Sequence, residues 1–214
     1  MILGVVLAAG SASRFEGSNK LLASLDGDPV VAHATRTLAE SSVDALVAVV
    51  GHDAERVVAA LPPAVEVLEN PDHGAGQSTS VRRGVEAARQ RDAAAVLFAL
   101  GDMPRVSVET VERLLSAYRD RGPEGETIAA PRYDGRRGNP VLFGAEYFDA
   151  LAGVEGDRGG RVLLETEPVA WVDVADPGIH RDVDTLGDLR DLQDESASSD
   201  ADSSSGEDAD SGLG

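Results

Sequence analysis

The 214-residue sequence has no cysteine and a single lysine, Lys20; its other eighteen basic residues are arginine. Without cysteine, a disulfide framework and a thiolate metal site are both excluded. No apolar stretch approaches the roughly 20 residues that a membrane helix needs. The first residues lack the charged and apolar regions of a secretion signal, so a soluble cytoplasmic protein is expected. No basic stripe is present, which argues against a nucleic-acid partner. The four histidines, His33, His52, His73 and His180, are scattered without metal-ligand spacing.

What is present is acid. Thirty-eight Asp and Glu against nineteen bases give a net charge of −19. Residues 193–214 hold seven of those acids and no base, which leaves −12 on residues 1–192. The excess, with almost no lysine, suits a cytoplasm of molar salt, where the screening length falls to about 3 Å and like charges repel less. An ordinary acidic protein from a GC-rich genome has the same composition. The terminal segment 193–214 has no aromatic residue and one late leucine, too little apolar surface to offset chain entropy, so it is expected to be a disordered tail. Residues 1–192 are long enough for one domain with a sizeable core.

Apolar runs alternate with amphipathic segments. The sequence predicts strands at Ile2–Ala8, Ala45–Val50, Val65–Glu69, Ala94–Leu100, Thr127–Ala130, Pro140–Phe143 and Val169–Val174. Helical patterns run over Pro29–Glu40, Ala54–Leu61, Ser78–Arg89 and Ser107–Asp120, the last with Ser107 as N-cap. Continuous apolar strands joined by helices indicate an α/β fold, with a mostly parallel sheet covered on both faces. Such sheets bind ligands beyond the carboxyl ends of their strands. Trp171 and Phe98 read as core residues, and His33 as structural.

The segment "LAAGSASRFEGSNK" follows the first strand. It matches neither a Walker A loop nor GxGxxG, yet its parts suit a phosphate. Ala8, Ala9 and Gly10 let backbone N–H groups approach an anion, and Ser11 and Ser13 add donors. Arg14 offers a planar fork and Lys20 a compact charge. A strand-to-helix turn with surface charges has the same composition. In "LFALGDMP", Asp102 stands at a strand's carboxyl end, a place suited to Mg²⁺ or to a plain turn. In "HRDVDTLGDL", alternation along a strand would put Asp182 and Asp184 on one face, able to complete that metal site; alternatively Asp184 merely precedes a helix capped by Thr185. "GAGQSTSVRRG" runs into a helix whose first amides, with Gln77, Ser78 and Ser80, can hold an anion or a base edge. "GRRGNPVLFG" and "GDRGGRVLL" combine glycine with arginine and could cradle a second phosphate-bearing substrate.

Leu7-Ala8-Ala9-Gly10-Ser11-x-Ser13-Arg14-Phe15 followed by Asn19-Lys20-Leu21-Leu22 closely resembles the signature of the molybdenum-cofactor nucleotidyltransferases, a branch of the Rossmann-like nucleotidyltransferase superfamily. Gly-Asp-Met-Pro, Asp-x-Asp-Thr and Gly-Gln-Ser-x-Ser are similar to further family elements, and the resemblance runs from about Ile2 to Leu192. Glu16 departs from the family's usual glycine, and Leu186-Gly187 from its usual Pro-Glu. The resemblance implies a three-layer fold and a loop, Leu7 to Ser11, whose backbone holds a triphosphate, with Arg14 and Lys20 on the phosphates. It further implies Mg²⁺ on Asp102 and Asp184, and Gln77 and Ser78 near the base. Arg137, Gly138, Asn139, Pro140, Asp157 and Arg161 would lie around the acceptor. The implied reaction is transfer of CMP from CTP to molybdopterin with loss of pyrophosphate, and the implied client is a molybdenum hydroxylase. Ala9 favours CTP, because the guanylyl branch usually has Leu-Ala-Gly-Gly. A triphosphate approaching a −19 protein needs a local basic cluster, which Arg14, Lys20, Arg136, Arg137, Arg158 and Arg161 can supply. GTP as donor, a sugar phosphate or other phosphorylated metabolite as acceptor, and a nucleotide-binding delivery protein without turnover stay open. A Rossmann oxidoreductase is disfavoured by the missing GxGxxG.

Overall fold

The computed structural model describes residues 1–10, 15, 19–121 and 127–204. In chain order the elements are β1 (Ile2–Ala8), β2 (Ser24–Leu25), β3 (Asp28–Pro29), α1 (Val30–Ala39), β4 (Ala45–Val50), α2 (Ala54–Ala60), β5 (Glu66–Glu69), α3 (Gln77–Gln90) and β6 (Ala95–Leu100). Then come α4 (Val108–Arg121), β7 (Ile128–Tyr133), β8 (Arg136–Arg137), β9 (Val141–Gly144), α5 (Phe148–Ala152), α6 (Leu163–Thr166), β10 (Val169–Asp173) and α7 (Leu186–Ser204).

The main sheet has the order β10-β7-β9-β6-β1-β4-β5, with β8 paired to β7. β1 lies at its centre, parallel to both β4 and β6. Strand β9 runs antiparallel to β6 and β7, so the sheet is mixed but mostly parallel. Its continuous apolar runs have one cause, burial on both faces. One face packs Leu3, Val5, Val47 and Phe98 against Val81, Val85 and Ala88 of α3 and Leu151 of α5. The other packs Val6, Ala48 and Leu97 against Val31 and Leu38 of α1 and Leu114 and Leu115 of α4. Each such leucine or valine removed from water is worth about 1.5–3 kcal/mol.

A third cluster matters for the site. Phe15, Leu25, Val30, Val183, Leu189 and Leu192 form a small core that docks α7 onto the β2–β3 hairpin. Asp26 and Gly27 turn that hairpin with positive φ at both positions (51° and 92°), as a two-residue turn matching strand twist requires. α7 carries the chain past residue 192, where the sequence reading ended the domain; Gln193 Nε2 donates to the Ser24 carbonyl (3.1 Å), and Arg181 pairs with Glu195. The rest of the expected tail, 205–214, lies outside the described residues. Among the described residues, no helix is long and apolar enough to cross a membrane.

Two expectations need correction. Trp171 is not core: it is 39% exposed, because β10 is the sheet's edge strand and only Ala170 on its opposite face is buried. The segment of Asp182 and Asp184 is not a strand but irregular chain between the short turn Pro177–His180 and α7. Phe98 is buried, and His33 is structural, its Nε2 donating to the Leu25 carbonyl (2.8 Å).

Candidate active site

The site forms where β1 and β6 end side by side. Leu7 is in register with Leu100, and Gly101 N–H donates to the Leu7 carbonyl (2.9 Å). A Cβ on Gly101 would stand 3.1 Å from that oxygen, so glycine permits the close approach that swings Asp102 beside the first loop. From the other end of the chain, Val183 N–H donates to the Asp102 carbonyl (2.9 Å) and draws Asp184 alongside.

Asn19 is buried, and its Oδ1 accepts from Leu21 N–H (3.1 Å), capping a short 3-10 turn, Lys20–Leu22. That turn aims the lysine. Lys20 Nζ lies 2.5 Å from Asp102 Oδ2 and 2.5 Å from Asp184 Oδ1. Its side chain is only 16% exposed, held in place by the capped turn and the two carboxylates. Burial disfavours the ammonium, but the charges and hydrogen bonds of Asp102 and Asp184 outweigh it and hold the lysine above its ordinary pKa. Asp182 belongs to the same cluster. Burial pushes its carboxyl up, and the charges of Asp184 and Asp102 push it further.

Two adjoining cavities open here. The larger, about 580 Å³, is bordered by Ala9, Gly10, Lys20, His73, Gln77 and Asp102. The smaller, about 370 Å³, has an apolar floor including Val81, Phe98 and Phe143 and a polar rim of Arg137, Asn139 and Arg161. Leu7, Gln77 and Leu100 border both. Gln77 opens α3, whose approach is pinned from beneath: buried Asn70 Nδ2 donates to Thr79 Oγ1 (2.8 Å) and Ser80 Oγ (3.0 Å). At Gly159, φ is +49° and a Cβ would stand 2.9 Å from Gln77 Oε1, so this glycine-rich turn closes over the boundary between the cavities.

The expected site residues therefore fall in several places. Leu7, Ala9, Gly10, Lys20, Gln77 and Asp102 border the larger cavity, and Arg137, Gly138, Asn139 and Arg161 the smaller. Asp184 reaches the first group through Lys20. Ala8, Ser78 and Pro140 are buried and border neither cavity. Ser11, Ser13 and Arg14 lie outside the described residues, as does the Asp157 side chain. Arg137 and Arg161 share one counter-ion, Glu165, at 3.6 and 3.8 Å. His73, set aside in the sequence, borders the larger cavity with its ring 6.2 Å from that of His52. Its packing against Gly51, where a Cβ would stand 2.6 Å from the His73 Cβ, was visible only in three dimensions. Among the described residues, no three His, Asp or Glu side chains are arranged as a ready metal cluster.

Residues 4–172 match the MobA-like NTP transferase domain. The chain is 34% identical over 193 residues to nicotine blue oxidoreductase of Paenarthrobacter nicotinovorans, covering 86% of this chain and 93% of that one. A nucleotidyl transferase from Methanothermobacter superposes with a TM-score of 0.78 at 26% identity, covering 93% of this chain and 99% of that one. Rv0371c from Mycobacterium tuberculosis, crystallised as a manganese complex, gives 0.69 at 31% identity, with 90% and 98% covered. The chain belongs to the MobA-like NTP transferase family and is a nucleotidyltransferase.

Proposed function

We propose that the enzyme transfers CMP from CTP to the terminal phosphate of molybdopterin, for delivery to a molybdenum hydroxylase. An acceptor phosphate oxygen attacks the α-phosphorus; the bond to the bridging oxygen of the β-phosphate breaks, and pyrophosphate leaves. No covalent enzyme intermediate is needed, so the protein's task is to position the reactants and neutralise charge.

The observation that carries this reading is the meeting of two cavities of different chemistry at Leu7, Gln77 and Leu100. The larger suits the triphosphate. Ala9 and Gly10, small enough to let the backbone approach an anion, border it, and Lys20 supplies positive charge at its edge. Arg14 joins it by resemblance alone. The smaller suits a flat acceptor carrying a phosphate: aromatic and aliphatic side chains line its floor, and Arg137 and Arg161 stand at its rim. Gln77 touches both spaces and would orient one substrate against the other.

The residues present fit a divalent cation. Asp102 and Asp184 converge on one cationic point, and carboxylate oxygens are the donors that Mg²⁺ and Mn²⁺ prefer. When bound, the metal would supply charge neutralisation on the phosphates. Asp102 and Asp184 would hold it, with Asp182 adding negative charge nearby.

The deciding experiment measures pyrophosphate release with each of the four nucleoside triphosphates, with and without molybdopterin. Release with CTP and molybdopterin together is expected. Release with GTP, or only with a sugar phosphate, would overturn the substrate assignment. One relative carries an oxidoreductase name, so a parallel arm follows oxidation of a reduced nicotinamide cofactor; turnover there alone would overturn the transfer reaction for this chain.

A further inference from the structure

We propose that Lys20 is an exchangeable internal counter-ion: its ammonium holds the cation position between Asp102 and Asp184 until a divalent metal binds there, and the released side chain then turns to the triphosphate. This rests on the metal site proposed above and deepens it.

Three observations converge. The first is geometric. Both carboxylates point at Nζ from 2.5 Å, so two of its three donors are committed and the position between the acids is filled. An ammonium and a metal ion cannot share that position. The second is charge. Lys20 offers one positive charge to a cluster of Asp102, Asp184 and the nearby Asp182, which remains net negative around it. A divalent ion matches that cluster better, so exchange is favourable. The third is space. Lys20 borders the cavity of about 580 Å³, so the freed side chain has room to turn. The turn Lys20–Leu22, capped by buried Asn19, holds the backbone, and only the four-carbon stem has to move.

The choice of lysine in a chain with eighteen arginines follows. A compact ammonium can sit as a point charge between two carboxylates. A guanidinium fork matches one carboxylate bidentately and is too wide for a single point. The exchange would also order the binding events: without metal, the lysine is withheld from the phosphates.

The single lysine gives the test a clean readout. Full-length protein labelled with ¹³C,¹⁵N-lysine has a single lysine Cε–Nζ correlation signal. Titrating Mg²⁺ into the nucleotide-free protein should shift that signal, and CTP added next should shift it again. In parallel, Mn²⁺ affinity is measured by electron paramagnetic resonance on the nucleotide-free wild type, Lys20→Ala, Asp102→Asn and Asp184→Asn, each checked for folding by circular dichroism. Lys20→Ala should bind Mn²⁺ at least about fivefold more tightly, and each Asp variant about tenfold more weakly. If Mn²⁺ binding depends on both acids but the lysine signal stays still, or Lys20→Ala binds more weakly, the exchange is overturned and the metal site stands. If Mn²⁺ binding ignores both Asp substitutions, the metal site itself is wrong and the exchange falls with it. The labelled wild type decides the matter even if Lys20→Ala does not fold.

Discussion

Val183 donates its backbone N–H to the carbonyl of Asp102 at 2.9 Å, joining the end of the globular chain to the turn after β6. That bond brings Asp184 to the site, and the Val183 side chain packs into the same small core that docks α7. Leu189 and Leu192 anchor α7 in the small core with Leu25 and Val30. Leu192→Ala should therefore cost about 2–5 kcal/mol, the range for a truncated buried leucine, and weaken Mn²⁺ binding by letting Asp184 drift. Thermal melts and Mn²⁺ titration check both. By contrast, truncation after Glu195 keeps the Arg181 and Gln193 contacts and should leave melting and turnover unchanged. A large loss on truncation would show that residues beyond Glu195 dock.

Asp102 should tolerate an amide structurally but not functionally. The Asn oxygen can still accept from Lys20, so Asp102→Asn should fold with a stability change of about 1 kcal/mol or less. Turnover should fall about 10²–10³-fold, the usual cost of one preorganised charge. Lys20→Ala should lose a similar factor, and Lys20→Arg should not restore it. Activity near wild type in a folded Asp102→Asn variant would remove Asp102 from the chemistry.

The smaller cavity makes a separable prediction. Arg161 is exposed and only loosely paired with Glu165 at 3.8 Å. Arg161→Ala should leave the melting temperature and the KM for CTP unchanged. It should raise the KM for the phosphorylated acceptor by about 10–100-fold, as expected for one charge-assisted contact of about 1.5–3 kcal/mol. Two-substrate kinetics test this. A rise in the CTP KM instead would exchange the assignments of the two cavities.

Strands such as β1 and β4 were legible to the residue, because burial on both faces leaves an unbroken apolar run. Helix α4 announced itself through Ser107, whose Oγ accepts from Thr110 N–H (3.1 Å). The Asp26-Gly27 turn also carried a readable signal, but its two-residue strands are too short to show any period. Trp171 misled because aromaticity says nothing of edge position. Individual site motifs were readable; their arrangement was not. Lys20 and Asp184 are 164 positions apart, and no local pattern states that one will sit against the other. The reversed strand β9 and the sharing of Glu165 by Arg137 and Arg161 likewise arise from tertiary pairing.

The start of α7 offers a test in which pH supplies the sign. Leu186-Gly187 is a weak helix opening, and the structure compensates with a capping box. Asp188 Oδ2 accepts from Thr185 N–H (2.7 Å), Thr185 Oγ1 (2.9 Å) and Asp184 N–H (3.0 Å), while Thr185 Oγ1 accepts from Asp188 N–H (3.2 Å). Burial would raise the Asp188 carboxyl, but these hydrogen bonds and the charge of Lys20 outweigh it and hold the carboxyl below its ordinary 3.8. A carboxyl depressed by folding contributes stability above its unfolded value, and that contribution is lost as pH falls through the folded one. Asp188→Ala should therefore cost about 1 kcal/mol at pH 7, a typical capping loss, and the gap from wild type should narrow as pH drops below 3.8. Asp188→Asn keeps an acceptor without the charge, so it should lose less at pH 7. Melts of the three proteins between pH 3 and 7 decide it. A gap between wild type and Asp188→Ala that stays constant across the range would mean that the charge of Asp188 plays no part in holding α7, and with it Asp184, in place.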